Sequence, residues 1–145
     1  MEDQIKPPAE ARFAELMKRV RRLGLDSLNA AESAASPAQM TLIDWIAAHP
    51  GCGVQDIAAG LRLAPPTISI SVKRMQQNGV VERKPDPADA RAVQFTLTRR
   101  GQDIYDMHQA YQKRKFQQLL SGLSPQEQET LIALLERALQ SAETK

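Results

Sequence analysis

Between Val54 and Gly101 the chain runs VQDIAAGLRLAPPTISISVKRMQQNGVVERKPDPADARAVQFTLTRRG, an order of signals that few folds can accommodate. Pro65 and Pro66 suit the first turn of a helix, whose N–H groups lack intrahelical partners, and Asn78-Gly79 suits its left-handed end. A helix over Pro65–Gln77 is therefore marked at both ends, with a shorter helix before it. At about 100° per residue, Ile68, Val72 and Met75 form one apolar stripe, while Pro66, Ile70, Lys73 and Gln77 point the other way. Thr67, Ser69 and Arg74 flank that outer face. Short hydroxyls near the N-terminus and cations further along are what a helix reading base edges beside phosphates requires, although the face alone reads equally as ordinary solvated surface.

The next residues separate the two readings. Val80-Val81-Glu82-Arg83 has the composition of a short strand, and Val93-Gln94-Phe95-Thr96-Leu97 alternates as its partner would. The loop between them, Lys84 to Arg91, is too polar to pack. Its prolines stiffen it, Asp86 and Asp89 can bond local backbone N–H groups, and Arg83, Lys84 and Arg91 are left to meet an anion. Two short helices, a hairpin with a charged tip and a new helix start make the outline of a winged helix-turn-helix.

The segment GVVERKPDPADARAVQFTLTRRG resembles the wing of the multiple antibiotic resistance regulator (MarR) family, with Asp86, Asp89 and Arg91 in an Asp-x-x-Asp-x-Arg pattern followed by Leu97, Thr98 and Gly101. The order of expected helices is similar along nearly the whole chain, but only Val54 to Gly101 is motif-specific. Four residues depart from the family pattern. Arg62 stands in the turn before the recognition helix where Gly is frequent, so a left-handed backbone there would cost ~1 kcal/mol. Ala64 stands at the N-cap, where Ser or Asp would satisfy a free N–H. Ile70 and Ala88 stand where many members carry Arg, on the recognition face and at the wing tip.

The expected fold is mainly α with a small antiparallel β wing. It is one domain in which 36–101 form the DNA-binding lobe and 1–35 and 102–145 contribute dimerisation helices. Length permits a single sizeable core, and the net charge of +2 becomes informative once divided. Val54 to Gly101 holds eight Lys/Arg against four Asp/Glu, whereas each flank is net −1. Basic charge sits where phosphate contacts need it.

Outside the module, Phe13, Leu16, Met17, Val20 and Leu23 form an amphipathic helix ending near Gly24, and whether Leu25 and Leu28 extend it is open. Ser36-Pro37-Ala38-Gln39 is a capping-box start for a helix that buries Leu42, Ile43 and Ile46 and stops at His49-Pro50. Residues around Val54 are candidates for a third strand of the wing sheet, before Asp56 in the first turn of the next helix. Thr98 can N-cap a long helix through Ile104, His108 and Leu120. Ser124-Pro125-Gln126-Glu127 starts a last helix, apolar on more than one stripe through Leu131, Ile132, Leu134, Leu135 and Leu139, which is expected to pack on its own chain and on another.

The reading is a sequence-specific DNA-binding transcriptional regulator, a ligand-responsive repressor that binds a pseudo-palindromic operator as a homodimer. Lys73, Arg74, Arg83, Lys84 and Arg91 hold phosphates; Thr67, Ser69 and Ile70, beside Pro66, meet base edges or thymine methyls; Asp89, and Asp86 with it, orient the wing. The resemblance implies interlocked first and last helices in a two-fold dimer, and a small-molecule effector between dimer helices and lobe. Trp45, His108 and Tyr111 are its candidate contacts, each with a competing reading as plain packing. The single cysteine, Cys52, excludes an intrachain disulfide and reads as structural; the reactive cysteine of peroxide-sensing members lies on the first helix, where this chain has none.

No cofactor, metal site or enzyme is spelled out. His49 and His108 have no ligand partner at helical spacing, and no Gly-rich phosphate loop follows a strand. Without an apolar run of membrane length or a signal-peptide pattern, the expected setting is soluble and cytoplasmic. The alternative function is a winged-helix module used for protein–protein contacts, which salt-dependent DNA binding would distinguish.

Overall fold

A computed structural model of the chain describes residues 6–24, 35–89 and 92–145. Its elements are α1 (Ala9–Arg22), α2 (Pro37–Ala48), α3 (Val54–Leu61), α4 (Pro65–Gln77), β1 (Val81–Pro85), β2 (Val93–Leu97), α5 (Arg99–Leu120) and α6 (Pro125–Glu143). Local signals set most of these limits. Ser36 and Ser124 each close a reciprocal capping box with proline in the first turn, and Thr98 Oγ1 accepts from the Gly101 N–H at 3.1 Å. Gly79, at φ 72°, takes the left-handed turn after α4.

Among the described residues, the buried hydrophobic side chains of the core run from Met40 to Ile104. Ile43 and Ile46 of α2, Ile57 and Ala58 of α3, and Ile68, Val72 and Met75 of α4 close on Val80, Val81 and Phe95 of the hairpin. β1 and β2 pair antiparallel from Val81 opposite Leu97 to Pro85 opposite Val93. The strand is thus shifted from the expected Val80–Arg83, because Lys84 and Pro85 find partners in Gln94 and Val93.

Two expectations are corrected. Val54 joins no strand: it is the first residue of α3, capped when the Gly53 N–H donates to Asp56 Oδ2 at 2.9 Å. The sheet gains only an isolated bridge between Cys52 and Phe95, where the Phe95 N–H donates to the Cys52 carbonyl at 2.8 Å. The second correction concerns α6, which buries no residue on its own chain. An apolar helix with nothing buried is stable only when another surface covers it. α1 also buries nothing. Whether Leu25 and Leu28 extend that helix lies outside the described residues.

Arg62 ends α3 in the left-handed region, at φ 55° and ψ 43°, the only such non-glycine among the described residues. Its Cβ costs roughly 1–2 kcal/mol there. Ala64 is the N-cap of α4 and supplies no side-chain bond.

Candidate nucleic-acid interface

α4 is seated by Ile68, Val72 and Met75, all about 1% exposed, so its opposite face is necessarily outermost. Ile70 stands at that crest, 63% exposed, beside exposed Pro66. The two flanks differ. On one side Ser69, Lys73 and Gln77 of α4 line a cleft of about 550 Å³ with Arg83 and Phe95 of the hairpin. On the other, Thr67 and Arg74 line a cleft of about 400 Å³ with Gln39 of α2 and its N-cap, Ser36. The fold thereby joins Lys73 with Arg83, ten residues apart in sequence, across one groove. Among the described residues no carboxylate forms an ion pair with Lys73, Arg74 or Arg83, so their charge faces solvent unneutralised. Lys84 is partly offset by Glu82, 3.6 Å away in an exposed pair that adds little stability.

The wing tip folds on itself. Asp86 Oδ1 accepts from the Ala88 N–H at 2.8 Å, an Asx turn, while the Asp86 N–H donates to the Ala92 carbonyl and the Ala92 N–H to the Asp89 carbonyl, both at 3.0 Å. Ala88 is exposed at the tip. Arg91, and with it the expected pairing to Asp89, lies outside the described residues.

Trp45, His108 and Tyr111 stand on α2 and α5, which pack together, but in separate surroundings. Trp45 stacks on His49 with ring centroids 3.8 Å apart. Its indole lies on Gly60 of α3, where a Cβ would run into the ring. The His108 ring is buried, Nδ1 standing 3.8 Å from Asp44 Oδ1, and neither ring nitrogen has a hydrogen-bond partner among the described residues. Burial pushes the Asp44 carboxyl above its usual range, a shift that His108 partly offsets. Tyr111 is half-buried with the Lys115 ammonium 5.6 Å above its ring.

Cys52 is buried, and its thiol is held above the ordinary range first by burial and further by the Asp56 charge. A thiol kept protonated is a poor nucleophile toward peroxide. Cys52→Ser is therefore expected to leave DNA binding unchanged before and after mild peroxide, read by fluorescence anisotropy on one labelled duplex. Peroxide-triggered release by the parent but not by the variant would make Cys52 a sensor instead.

Sequence reasoning passed over Arg100, whose Nη1 donates to the Asn78 carbonyl at 3.1 Å, and the close approach at Gly60 and Gly101. A signal for Arg100 existed: two adjacent arginines open α5, where the helix dipole disfavours cations.

Known proteins match this architecture. The family model described as MarR family matches residues 36–92, from the cap of α2 into the wing. An HTH-type transcriptional regulator of Bacillus subtilis (strain 168), YkoM, is 28% identical over 107 residues, covering 74% of this chain and 70% of YkoM. The HTH-type transcriptional repressor MdtR of the same organism is 22% identical over 142 residues, covering 98% of this chain and 90% of MdtR. Among solved structures, Streptococcus pneumoniae FabT in complex with DNA superposes with a TM-score of 0.82 at 23% identity, covering 93% of this chain and 98% of FabT. The wing motif, the seated α4 and the order of six helices and two strands agree with these matches: residues 36–92 match the MarR family, and the chain as a whole is similar to winged helix-turn-helix transcriptional regulators.

Proposed function

We propose that the protein is a homodimeric, ligand-responsive repressor that places α4 in the major groove and the wing along the adjacent minor groove. The observation that carries this reading is the cleft where Lys73 and Ser69 of α4 face Arg83 of the hairpin, next to exposed Ile70. Lys73, Arg74, Arg83 and Lys84 hold phosphates, joined by Arg91; Thr67, Ser69 and Ile70 meet base edges and thymine methyls, with Pro66 at the helix start. Asp86, through its Asx turn, shapes the wing tip, and Asp89 orients Arg91. That FabT was solved on DNA and that MdtR is named a repressor support the same reading.

Residues 36–101 form the DNA-binding lobe and α1, α5 and α6 the dimerisation arm. The support is the uncovered apolar surface: Phe13 and Leu16 of α1, Leu23 at its C-cap, Phe116 and Leu119 of α5 and five aliphatic side chains of α6 are all exposed. Two-fold symmetry then sets two recognition helices on one face of DNA, with half-site centres roughly 10 bp apart. An effector acts by binding one spacing of the lobes more tightly than another, and Trp45, His108 and Tyr111, across the α2–α5 contact, are its candidate contacts. No described helix is long and apolar enough to cross a membrane, and among the described residues no His/Cys/Asp/Glu group could hold a metal ion. We place the protein in the cytoplasm, with its DNA, and assign it no enzymatic activity.

The test is selection of duplexes from a random pool, followed by affinity across a salt series. Lys73→Ala and Arg83→Ala should each weaken binding on every selected sequence and reduce the salt slope by about one counterion. Failure of the parent to retain any duplex at low salt would overturn the reading and leave a protein-contact module.

A further inference from the structure

Arg99 and Arg100 occupy the first turn of α5 with no acidic residue beside them in that turn, against the positive end of the helix dipole. Arg99 is offset by Asp103, 3.6 Å away and one turn on. Arg100 has a different outlet. Its guanidinium donates from Nη1 to the carbonyl of Asn78, the C-cap of α4, so the charge unfavourable to its own helix lies at the favourable, negative end of the recognition helix.

Neighbouring contacts extend this joint. Thr98 Oγ1 donates to the Gly79 carbonyl at 2.6 Å, and the Thr98 N–H donates to the Val80 carbonyl at 3.1 Å. A Cβ on Gly101 would run into that same Val80 oxygen. Three successive carbonyls at the end of α4, those of Asn78, Gly79 and Val80, are thus held by the start of α5.

From this geometry we propose that Arg100 is a positioning residue for DNA recognition: by tying the carbonyl end of α4 to the first turn of α5, it sets the half-site spacing that the dimer accepts. The proposal rests on reading α4 as the recognition helix and α5 as part of the dimerisation arm. The lever is long. The 22 residues of α5 span roughly 33 Å, so a tilt of about 10° at the joint displaces one end by about 6 Å relative to the other. That exceeds the roughly 3.4 Å rise of one base pair.

The experiment uses duplexes that the parent protein selects from a random pool, and derivatives with one or two base pairs inserted or removed between half-sites. Arg100→Met, which keeps the aliphatic stem, should bind the parental spacing about tenfold more weakly but the altered spacings nearly as well as the parent does, so spacing discrimination falls by about the same factor. The salt slope should stay unchanged, and Arg100→Lys should recover part of the discrimination. A uniform loss on all spacings with a slope smaller by about one would make Arg100 a phosphate contact and overturn the proposal. A uniform loss with the slope unchanged, or no loss at all, overturns it equally, since neither alters spacing. Failure of the parent to select any duplex would instead sink the DNA-binding reading beneath it.

Discussion

Gly101→Ala is expected to lower folding stability by about 3 kcal/mol, at the upper end of what overpacking a fitted contact costs. The side chain it adds would run into the carbonyl oxygen of Val80, a backbone atom on the segment joining α4 to β1. A flexible side chain could swing away, but this carbonyl is already held by the Thr98 N–H at 3.1 Å. Relief therefore requires moving α5 away from the hairpin, which breaks the Thr98 and Arg100 bonds as well. Urea unfolding at fixed protein concentration should show a lower midpoint with an unchanged slope. Gly122→Ala is the control: nothing lies within 4 Å of its added Cβ, and stability should hold or rise slightly. Equal midpoints for Gly101→Ala and the parent would show that the α5 start is not packed as described.

Charging the last helix should have a still larger effect on DNA binding. Leu131 and Leu135 lie one turn apart on α6 and are 37% and 40% exposed, and α6 buries no residue on its own chain. Leu131→Asp combined with Leu135→Asp is expected to give a monomer whose lobe still folds, since the core from Met40 to Ile104 contains neither residue. Operator affinity should then fall by roughly a thousandfold, because the second half-site contact is no longer intramolecular. Sedimentation velocity reads the assembly state, and anisotropy on a selected duplex reads the affinity. A double variant that still sediments as a dimer would place the dimer contact elsewhere.

Much of the fold was legible because its boundaries are local. The capping boxes at Ser36 and Ser124, the Thr98 cap, the proline start of α4 and the Asn78-Gly79 stop each involve residues within a turn of one another. Helical periodicity likewise placed Ile68, Val72 and Met75 inward, and so placed Ile70 outward. Strand edges were less legible, since Lys84 and Pro85 belong to β1 only because β2 runs opposite them. Val54 was misplaced for a related reason: a β-branched residue just after Gly53 suits a strand, but the Asp56 carboxylate caps Gly53 and starts α3 instead.

The sequence by itself determined the order of elements, the inward stripe of the recognition helix, the basic character of the module and the wing motif, since these follow from neighbours a few residues apart. Tertiary structure alone decided which flank of α4 meets Arg83, that the His108 ring is buried beside Asp44, and that no residue of α6 is buried. It also decided that Arg100 reaches a carbonyl 22 residues earlier and that Gly101 leaves room for that approach. These depend on the distance between elements remote in sequence, and periodicity specifies the face a helix presents without specifying what lies against it.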